Sequence, residues 1–298
     1  SESTYPYASD YLSIYLCGTL FVMTGLGMNS FINSQGFGKI GMLTVVLGAA
    51  ANIVLDPIFI FVFGMGIRGA ALATVLSQML SSVWILRFLT SGHAIYSLRL
   101  QDMPPDWRLI REIAALGLSG FIMAVTNSIV QIACNATLQR FGGDLYIGIM
   151  TVLSSVREVI TMPANGLTSG AQPVLGYNYG AGKYGRVRRG ILFISVVCVS
   201  FTFIMWILLL AFPRPFIHIF NSDPLLLEKG VSALHIYFFG FFMMSFQFSA
   251  QSAFVALGRS RHAVFFSIFR KVIIVTPLTF LLPHVGGLGV NGVFLAEP

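Results

Sequence analysis

Residues 40–74 read IGMLTVVLGAAANIVLDPIFIFVFGMGIRGAALAT, an apolar run that is interrupted by Asn52 and Asp56. The part from Ile40 to Phe63 is long enough to cross a bilayer, because roughly 20 helical residues span about 30 Å of hydrocarbon. A carboxylate inside such a span is costly unless it is paired, hydrated in a cavity or protonated. The stretch therefore predicts a membrane-spanning helix that carries a functional acid.

The composition of the whole chain is that of a membrane protein. Of its 298 residues, 56% are hydrophobic and 10% are charged, and the mean hydropathy is +0.81. An average soluble domain has about 25% charged residues. The net charge is +7, but the basic residues lie in short loops between apolar runs, which argues against a nucleic-acid-binding protein. We expect an all-α polytopic membrane protein.

Apolar runs of helical length recur along the chain and are separated by turn residues. We predict eight spans and the start of a ninth, at about 11–31, 40–63, 69–88, 113–138, 145–170, 189–212, 231–256, 263–283 and from Gly289. A long break at 91–112 contains Pro104-Pro105 and mixed charges. It predicts a linker between two lobes, with three helices in 1–90 and five helices plus the start of a sixth in 113–298.

Basic residues are distributed unevenly between the two sets of alternating loops. The set that includes the linker 91–112 holds eleven Lys and Arg residues, and the opposite set holds four. Because cytoplasmic loops carry the excess of Lys and Arg, the first set is predicted to be cytoplasmic. The linker between the lobes is therefore expected on the cytoplasmic side.

A weak internal repeat relates the two lobes. Shifts of 222 and 223 positions place glycines of the first lobe on glycines of the second: Gly18 on Gly240, Gly36 on Gly258, Gly66 on Gly289 and Gly69 on Gly292. Equivalent positions are an even number of helices apart, so the repeats run parallel, related by an axis along the membrane normal. The same comparison predicts about three further helices before residue 1 and the rest of the last helix after residue 298.

Three side chains with oxygen atoms are predicted to meet at one depth of the membrane. Asn52 and Asp56 lie one helical turn apart, and Thr74 is near the start of the next helix, at the same end. Tyr11 and Tyr15 reach a similar level on the first helix. Because such oxygens bind Na⁺ and a carboxylate also exchanges a proton, we predict a coupling site for Na⁺ or H⁺. In the structural alternative, Asp56 only caps helix ends bent by the proline that follows it.

A second group of polar side chains lies in the predicted spans of the C-terminal lobe. Arg157 and Glu158 are adjacent in one span and point apart on a helix, so each needs another partner. Amide side chains repeat every four residues on two helices, and such stripes either line a wet cavity or bond to neighbouring helices. The candidates for a substrate cavity are Asn127, Gln131, Asn135, Gln247, Gln251 and Glu158.

Residues Gly64 to Gly69 match G-x-G-x-x-G, the pattern of a dinucleotide site. The run before this motif is a membrane-length helix rather than a strand, and the repeat places Gly289 and Gly292 in the equivalent turn. We therefore interpret the motif as a turn between two spans. No cofactor is expected beyond the coupling ion.

Two segments resemble the multidrug and toxic compound extrusion (MATE) family of cation-coupled antiporters. They are NIVLDPIFIFVFGMGIRGAALATVLSQ at 52–78 and MPANGLTSGAQPVLGYNYGAGKYGRV at 162–187. The chain is most similar to the bacterial branch that includes DNA-damage-inducible protein F. The resemblance implies two six-helix lobes arranged as a V, alternating access, and a location in the inner membrane of a bacterium.

The resemblance also implies which residues couple transport to an ion. The family's cation site in its amino-terminal lobe has an Asn and an Asp four positions apart and a following Thr, which are matched by Asn52, Asp56 and Thr74. The other Asp of that site belongs to a first helix that this chain lacks. Some members use acids in the carboxy-terminal lobe, but the comparable positions here are Asn127 and Ala250, so the first-lobe site gains weight.

The function expected from this resemblance is efflux of small, aromatic organic cations in exchange for Na⁺ or H⁺, by a monomer in the bilayer. An alternative on the same fold is a flippase or exporter of a lipid-linked or polar metabolite, which would favour cationic side chains facing the cavity. Arg157, Arg270 and Lys271 are available for that role. An enzyme is not expected, because the sequence has no His-rich ligand set, no Asp pair and no Ser/Lys or Ser/His constellation.

Overall fold

The structure is a computed structural model that describes residues 5–99, 101 and 104–297. These residues form helices joined by short loops, and no strand occurs among them. The chain divides into two compact units, Ser1–Pro105 and Asp106–Pro298. The all-α membrane fold that the apolar runs predict is confirmed.

The first unit begins with two helices that together form one bent span. They are α1 (Tyr5–Cys17) and α2 (Thr19–Ser34), and their axes differ by 55°. The following spans are α3 (Gly38–Pro57), which continues as a π-helix over Ile58–Val62, and α4 (Gly66–Thr90).

Helix α4 packs against the other helices of the first unit through small residues. Its Ser82 hydroxyl donates to the Phe21 carbonyl oxygen of α2 at 2.6 Å, and its Ser81 hydroxyl donates to the Thr44 carbonyl oxygen of α3 at 3.3 Å. Small side chains let helix backbones approach closely, and hydroxyl groups then bond across the contact. These two bonds hold α4 against both neighbours.

Helix α3 becomes a π-helix directly after Pro57. Proline has no N–H for the carbonyl group of Ile53, and its ring clashes with that group, so the backbone must depart from the α-helical pattern. The wider turn ends where the Phe63 N–H donates to the Ile58 carbonyl oxygen at 2.9 Å. Asp56 therefore lies at the edge of a helix irregularity of the kind that is frequent at functional sites.

The second unit contains the remaining helices. They are α5 (Trp107–Gly180), α6 (Tyr184–Ala211), α7 (Pro213–His218), α8 (Pro224–Tyr237), α9 (Met244–Ala256), α10 (Ser260–Ile268), α11 (Thr276–Leu281) and α12 (Val290–Leu295). A π-helix over Phe269–Val275 joins α10 to α11, and short 3-10 helices lie at Phe241–Met243 and Leu282–His284. The core of this unit includes Leu138, Leu153, Leu234, Phe238 and Phe294.

Helix α5 has 74 residues, which is far longer than a bilayer requires. It is divided at Gly143, whose φ of 70° and ψ of −165° lie in a region that is essentially restricted to glycine. The two parts, 107–142 and 144–180, are separate spans. With α5 divided, the long apolar helices and the bent pairs α1–α2 and α8–α9 give eight candidate spans by length and composition among the described residues, as many as the complete apolar runs.

The boundary between the two units lies within the stretch that the sequence assigns to a linker, 91–112. Helix α5 nevertheless begins at Trp107, inside that stretch. The cause is Asp106, whose carboxylate accepts hydrogen bonds from the backbone N–H groups of Arg108 at 2.8 Å and Leu109 at 3.4 Å. This N-cap satisfies donors that a helix start leaves open, so the helical structure reaches further back than the apolar run.

Local features recur in the two units at the spacing of the internal repeat. The bend of α1–α2 falls at Gly18, and the bend of α8–α9, which measures 48°, falls next to Gly240. The glycine motif at 64–69 forms the turn that the sequence predicts. A Cβ atom at Gly69 would lie 2.7 Å from the Phe59 carbonyl oxygen, and one at its counterpart Gly292 would lie 2.8 Å from that of Leu282. At both positions the backbone of another segment lies too close for a residue with a Cβ atom.

Candidate functional site

A polar cavity of about 330 Å³ lies among α2, α3 and α4 of the first unit. Its wall includes Asn52 of α3 and Thr74 of α4, which the sequence places at one depth. Seven of the other thirteen lining residues carry an amide or a hydroxyl group, including Asn29, Asn33 and Gln78. The side-chain oxygen of Asn29 is buried without a hydrogen-bond partner among the described residues. This polar cavity therefore offers oxygen atoms to a cation or to water.

Asp56 lies one helical turn beyond the wall of the polar cavity and is bonded to it. The Asn52 amide nitrogen donates to the Asp56 carboxylate oxygen Oδ1 at 3.2 Å. Both side chains are half-buried, so the carboxylate is partly screened from water and has a neutral partner on the cavity side. Asn52 thus connects the acid to the polar cavity.

Thr74 keeps acceptor capacity towards the polar cavity. Its hydroxyl donates to the Ala70 carbonyl oxygen at 2.9 Å, which uses its only proton and leaves lone pairs for another partner. The predicted tyrosines are arranged differently. Tyr11 and Tyr15 stack on each other with ring centroids 5.9 Å apart, and neither is among the residues that line the polar cavity.

A second cavity, of about 460 Å³, lies inside the second unit. We call it the cationic cavity, because three basic and two acidic side chains line it: Arg157, Arg270, Lys271, Glu158 and Glu297. Five of the six predicted cavity residues are on its wall, namely Asn127, Gln131, Gln247, Gln251 and Glu158. The sixth, Asn135, is not on the wall and accepts a hydrogen bond from Gln131 at 3.4 Å.

An ion pair and an arginine bridge organise the cationic cavity. The Arg157 guanidinium nitrogen Nη1 lies 2.6 Å from the Glu297 carboxylate oxygen Oε1. Arg270 donates to the side-chain oxygen of Gln247 and, at 3.3 Å, to the backbone carbonyl oxygen of Glu297. Glu297 therefore holds two guanidinium groups, one through its side chain and one through its backbone.

The amide side chains that repeat every four residues do both things that the sequence left open: they line a cavity and they bond to neighbouring helices. Asn127 and Gln247 line the cationic cavity, and each also accepts a hydrogen bond from a basic residue of the π-helix. Gln251 lines the cavity too, and its amide nitrogen lies 2.6 Å from the Met123 sulfur of α5. Lining a cavity and joining neighbouring helices are thus compatible roles.

Sequence reasoning missed Glu297. It follows the apolar residues Val293 to Ala296, and an acid at the end of an apolar run is a signal that could have been used. An acid after an apolar run does not by itself show how deep in the membrane it lies. Its partner Arg157 lies 140 positions away in the chain, and no local pattern connects the two.

The sequence and the fold match known proteins. The MatE family model matches residues 120–281, more than half of the chain. The chain is 26% identical over 291 residues to "Multidrug export protein MepA" from Staphylococcus haemolyticus, covering 97% of this chain and 63% of the relative. It is 25% identical over 296 residues to the protein of that name from Staphylococcus aureus (strain NCTC 8325 / PS 47), covering 96% and 62%. The chain thus spans less than two thirds of these relatives.

Solved structures show the same fold. A multidrug resistance MATE family transporter of the MOP superfamily, in an outward-facing conformation, matches with a TM-score of 0.90 at 23% identity, covering 97% of this chain and 64% of that chain. A MOP superfamily transporter from Pyrococcus furiosus matches with a TM-score of 0.91 at 23% identity, covering 97% and 65%. With the family model and the multi-pass helical fold, these matches show that the chain belongs to the MATE family, whose members are transporters rather than enzymes.

Proposed function

We propose that this protein exports drug-sized molecules across the bacterial inner membrane in exchange for Na⁺ or H⁺, and that Asp56 binds the coupling ion. The observation that carries the proposal is the hydrogen bond from Asn52 to Asp56 at 3.2 Å, beside a polar cavity that Asn52 and Thr74 line. The names of the staphylococcal relatives, which are multidrug export proteins, support export of drug-sized molecules.

The chemistry of these three side chains suits either ion. A sodium ion would take oxygen ligands from the Asp56 carboxylate, the Asn52 amide and the Thr74 hydroxyl. A proton would convert Asp56 into a hydrogen-bond donor, and Asn52 would then turn its amide oxygen towards it and keep the bond with reversed roles. In both cases the net charge at a half-buried position is neutralised.

Neutralisation of Asp56 gives a physical basis for coupling. A charged carboxylate favours a conformation in which the polar cavity is hydrated, whereas a neutralised one tolerates a drier conformation. If substrate binds better to the hydrated conformation, ion binding and substrate binding oppose each other, and each lowers the affinity for the other by the same factor. Uptake of the ion then drives release of the substrate.

The two candidate functions differ in the charge of the substrate, and the structure gives some support to the second of them. Organic cations are the cargo that the resemblance implies. The alternative, an exporter of a polar or lipid-linked metabolite, would favour cationic side chains facing the cavity, and Arg157, Arg270 and Lys271 all line the cationic cavity. We therefore keep efflux as the function and test cargo of both charges.

The test is efflux of ethidium and of fluorescein from cells that express the intact protein, under imposed Na⁺ and proton gradients. We expect Asp56→Asn to abolish efflux of whichever dye the wild type exports, because the change keeps the shape of the side chain and removes its charge. The gradient that drives the wild type identifies the coupling ion.

The matched control is Asp10→Asn, which removes a carboxylate from the exposed ion pair with Arg68 and is expected to export dye at the wild-type rate. If Asp56→Asn exported dye at the wild-type rate, Asp56 would not be the residue that binds the coupling ion. If the wild type moved neither dye under either gradient, the efflux proposal itself would fail.

A further inference from the structure

The cationic cavity holds positive charge that the described residues do not balance. Its three basic and two acidic side chains leave an excess of one positive charge. Of these three basic side chains, only Arg157 forms an ion pair with a described residue, Glu297. Arg270 and Lys271 donate instead to neutral amide oxygens of Gln247 and Asn127. A charge in a cavity that is held only by neutral groups is favourably placed to bind a ligand of opposite charge.

The backbone directs both of these basic residues to one place. Arg270 and Lys271 are consecutive residues of the π-helix over Phe269–Val275. Because a π turn contains more residues than an α turn, neighbouring side chains diverge by a smaller angle, and both line the cationic cavity. The wider turn is closed by the Thr276 N–H, which donates to the Lys271 carbonyl oxygen.

An apolar cavity of about 430 Å³ adjoins the cationic cavity. The two share Met244, Gln247, Gln251 and Arg270 in their walls. The remaining wall of the apolar cavity is mostly hydrophobic and aromatic, and includes Phe254, Phe266 and Phe269. The rings of Phe254 and Phe266 are nearly parallel, with centroids 5.9 Å apart.

The combination specifies a ligand with two unlike ends. Each cavity has a volume in the range that binds small molecules. The apolar cavity removes a hydrophobic body from water, and the cationic cavity supplies an ammonium and a guanidinium group to a carboxylate or sulfonate. Arg270 lies in the shared wall, so an anionic group attached to an apolar body can reach it without leaving the apolar cavity.

We propose that the second unit contains a binding site for an amphiphilic anion, with the anionic group at Lys271 and Arg270 and the apolar body among Phe254, Phe266 and Phe269. This proposal depends on the proposed export function in one respect: it treats the bound anion as the molecule that is exported. The binding site itself exists whether or not transport is observed, so the two can fail separately.

The test is isothermal titration of the purified intact protein in a neutral detergent with three soluble probes. They are 2-naphthylacetate, 2-(2-naphthyl)ethylamine and acetate, which separate the anionic group from the aromatic body. We expect the naphthyl anion to bind at least tenfold more tightly than the naphthyl cation or acetate. Equal or tighter binding of the amine would overturn the proposal.

Variants locate the site. Lys271→Gln is expected to weaken binding of 2-naphthylacetate at least tenfold, because it removes an ammonium group and keeps a polar side chain. Asn127→Asp, which leaves Lys271 in place and adds a compensating carboxylate beside it, is expected to weaken binding similarly. Lys229→Gln removes a lysine from the exposed surface of α8 and is the matched control, with unchanged binding. If both cavity variants bound 2-naphthylacetate with wild-type affinity, the anion would not bind at Lys271 and the proposal would be overturned.

Two sources of an amphiphilic anion are distinguished by competition. Short-chain phosphatidylglycerol and short-chain phosphatidylcholine differ in the charge of the headgroup. Displacement of 2-naphthylacetate by phosphatidylglycerol alone would identify an anionic lipid as a ligand, and displacement by neither would identify a free aromatic anion. Equal displacement by both lipids would show that charge is not recognised and would overturn the proposal.

Discussion

The Arg157 guanidinium lies 2.6 Å from the Glu297 carboxylate, and the two residues are 140 positions apart in the chain. Their side chains are 28% and 11% exposed, so both groups have given up much of their contact with water. An ion pair in such a position contributes little when intact but is costly to break, because the remaining charge has no partner. The pair therefore joins α5 to the segment that follows α12 and holds the wall of the cationic cavity.

Glu297→Gln is expected to lower the free energy of unfolding by about 2 kcal/mol, the usual cost of losing a partly buried hydrogen bond to a charged group. The check is thermal unfolding of the purified protein in detergent. The matched control is Glu112→Gln, because the pair Arg108–Glu112 has side chains that are 87% and 63% exposed. An exposed pair of this kind contributes almost nothing, so equal effects of the two changes would contradict the structural role of Glu297.

Gly143→Ala is expected to destabilise the protein by about 1–3 kcal/mol, because its backbone conformation is one that residues with a Cβ atom rarely adopt. No neighbouring atom lies within 4 Å of a Cβ atom at this position, so the effect would come from the backbone alone. Thermal unfolding again measures it.

Gly166→Ala is the control for this change. It lies on the same helix, has open space around a Cβ atom and has no positive φ, so the alanine is expected to be neutral or to stabilise by about 0.5–1 kcal/mol. Stabilisation by both substitutions would mean that α5 is not divided at Gly143.

Gly69→Ala is expected to destabilise by about 1–3 kcal/mol for a different reason, the overpacking of a close contact. The new methyl group would lie 2.7 Å from the Phe59 carbonyl oxygen, and the backbone there cannot move aside as a flexible side chain would. Gly27→Ala, with nothing within 4 Å of its Cβ position, is the control. Unfolding temperatures that rise in both variants would contradict the contact between α4 and the π-helix.

Trp206→Phe is expected to cost about 1 kcal/mol, because it removes one hydrogen bond and keeps most of the ring. The indole nitrogen Nε1 donates to the Phe238 carbonyl oxygen at 2.7 Å, and the same oxygen accepts the Phe241 backbone N–H at 3.2 Å in the turn after α8. Trp107→Phe is the control, because Trp107 is 78% exposed. A change in unfolding free energy as large for Trp107→Phe would argue against this role.

The sequence by itself determined the class of fold, an all-α membrane protein. This class depends on runs of apolar residues and on turn residues, both of which are local. Even the repeat could be read from the spacing of glycines, because Gly36 and Gly66 share a positive φ with Gly258 and Gly289, and Gly69 shares a close backbone contact with Gly292. The start of α5 was missed by a few residues, since the cap at Asp106 lies outside the apolar run.

The sequence also identified Asn52, Asp56 and Thr74 as candidates, because a polar group in an apolar span is conspicuous. Only the tertiary structure decided which polar groups share a cavity. It separated Tyr11 and Tyr15 from the wall of the polar cavity, and it brought Arg157 to Glu297 across 140 positions. It also placed Arg270 and Lys271 in the wall of one cavity, because both belong to a π-helix that no sequence pattern predicts. Contacts between distant helices depend on how side chains pack, and this is why they could not be predicted from periodicity.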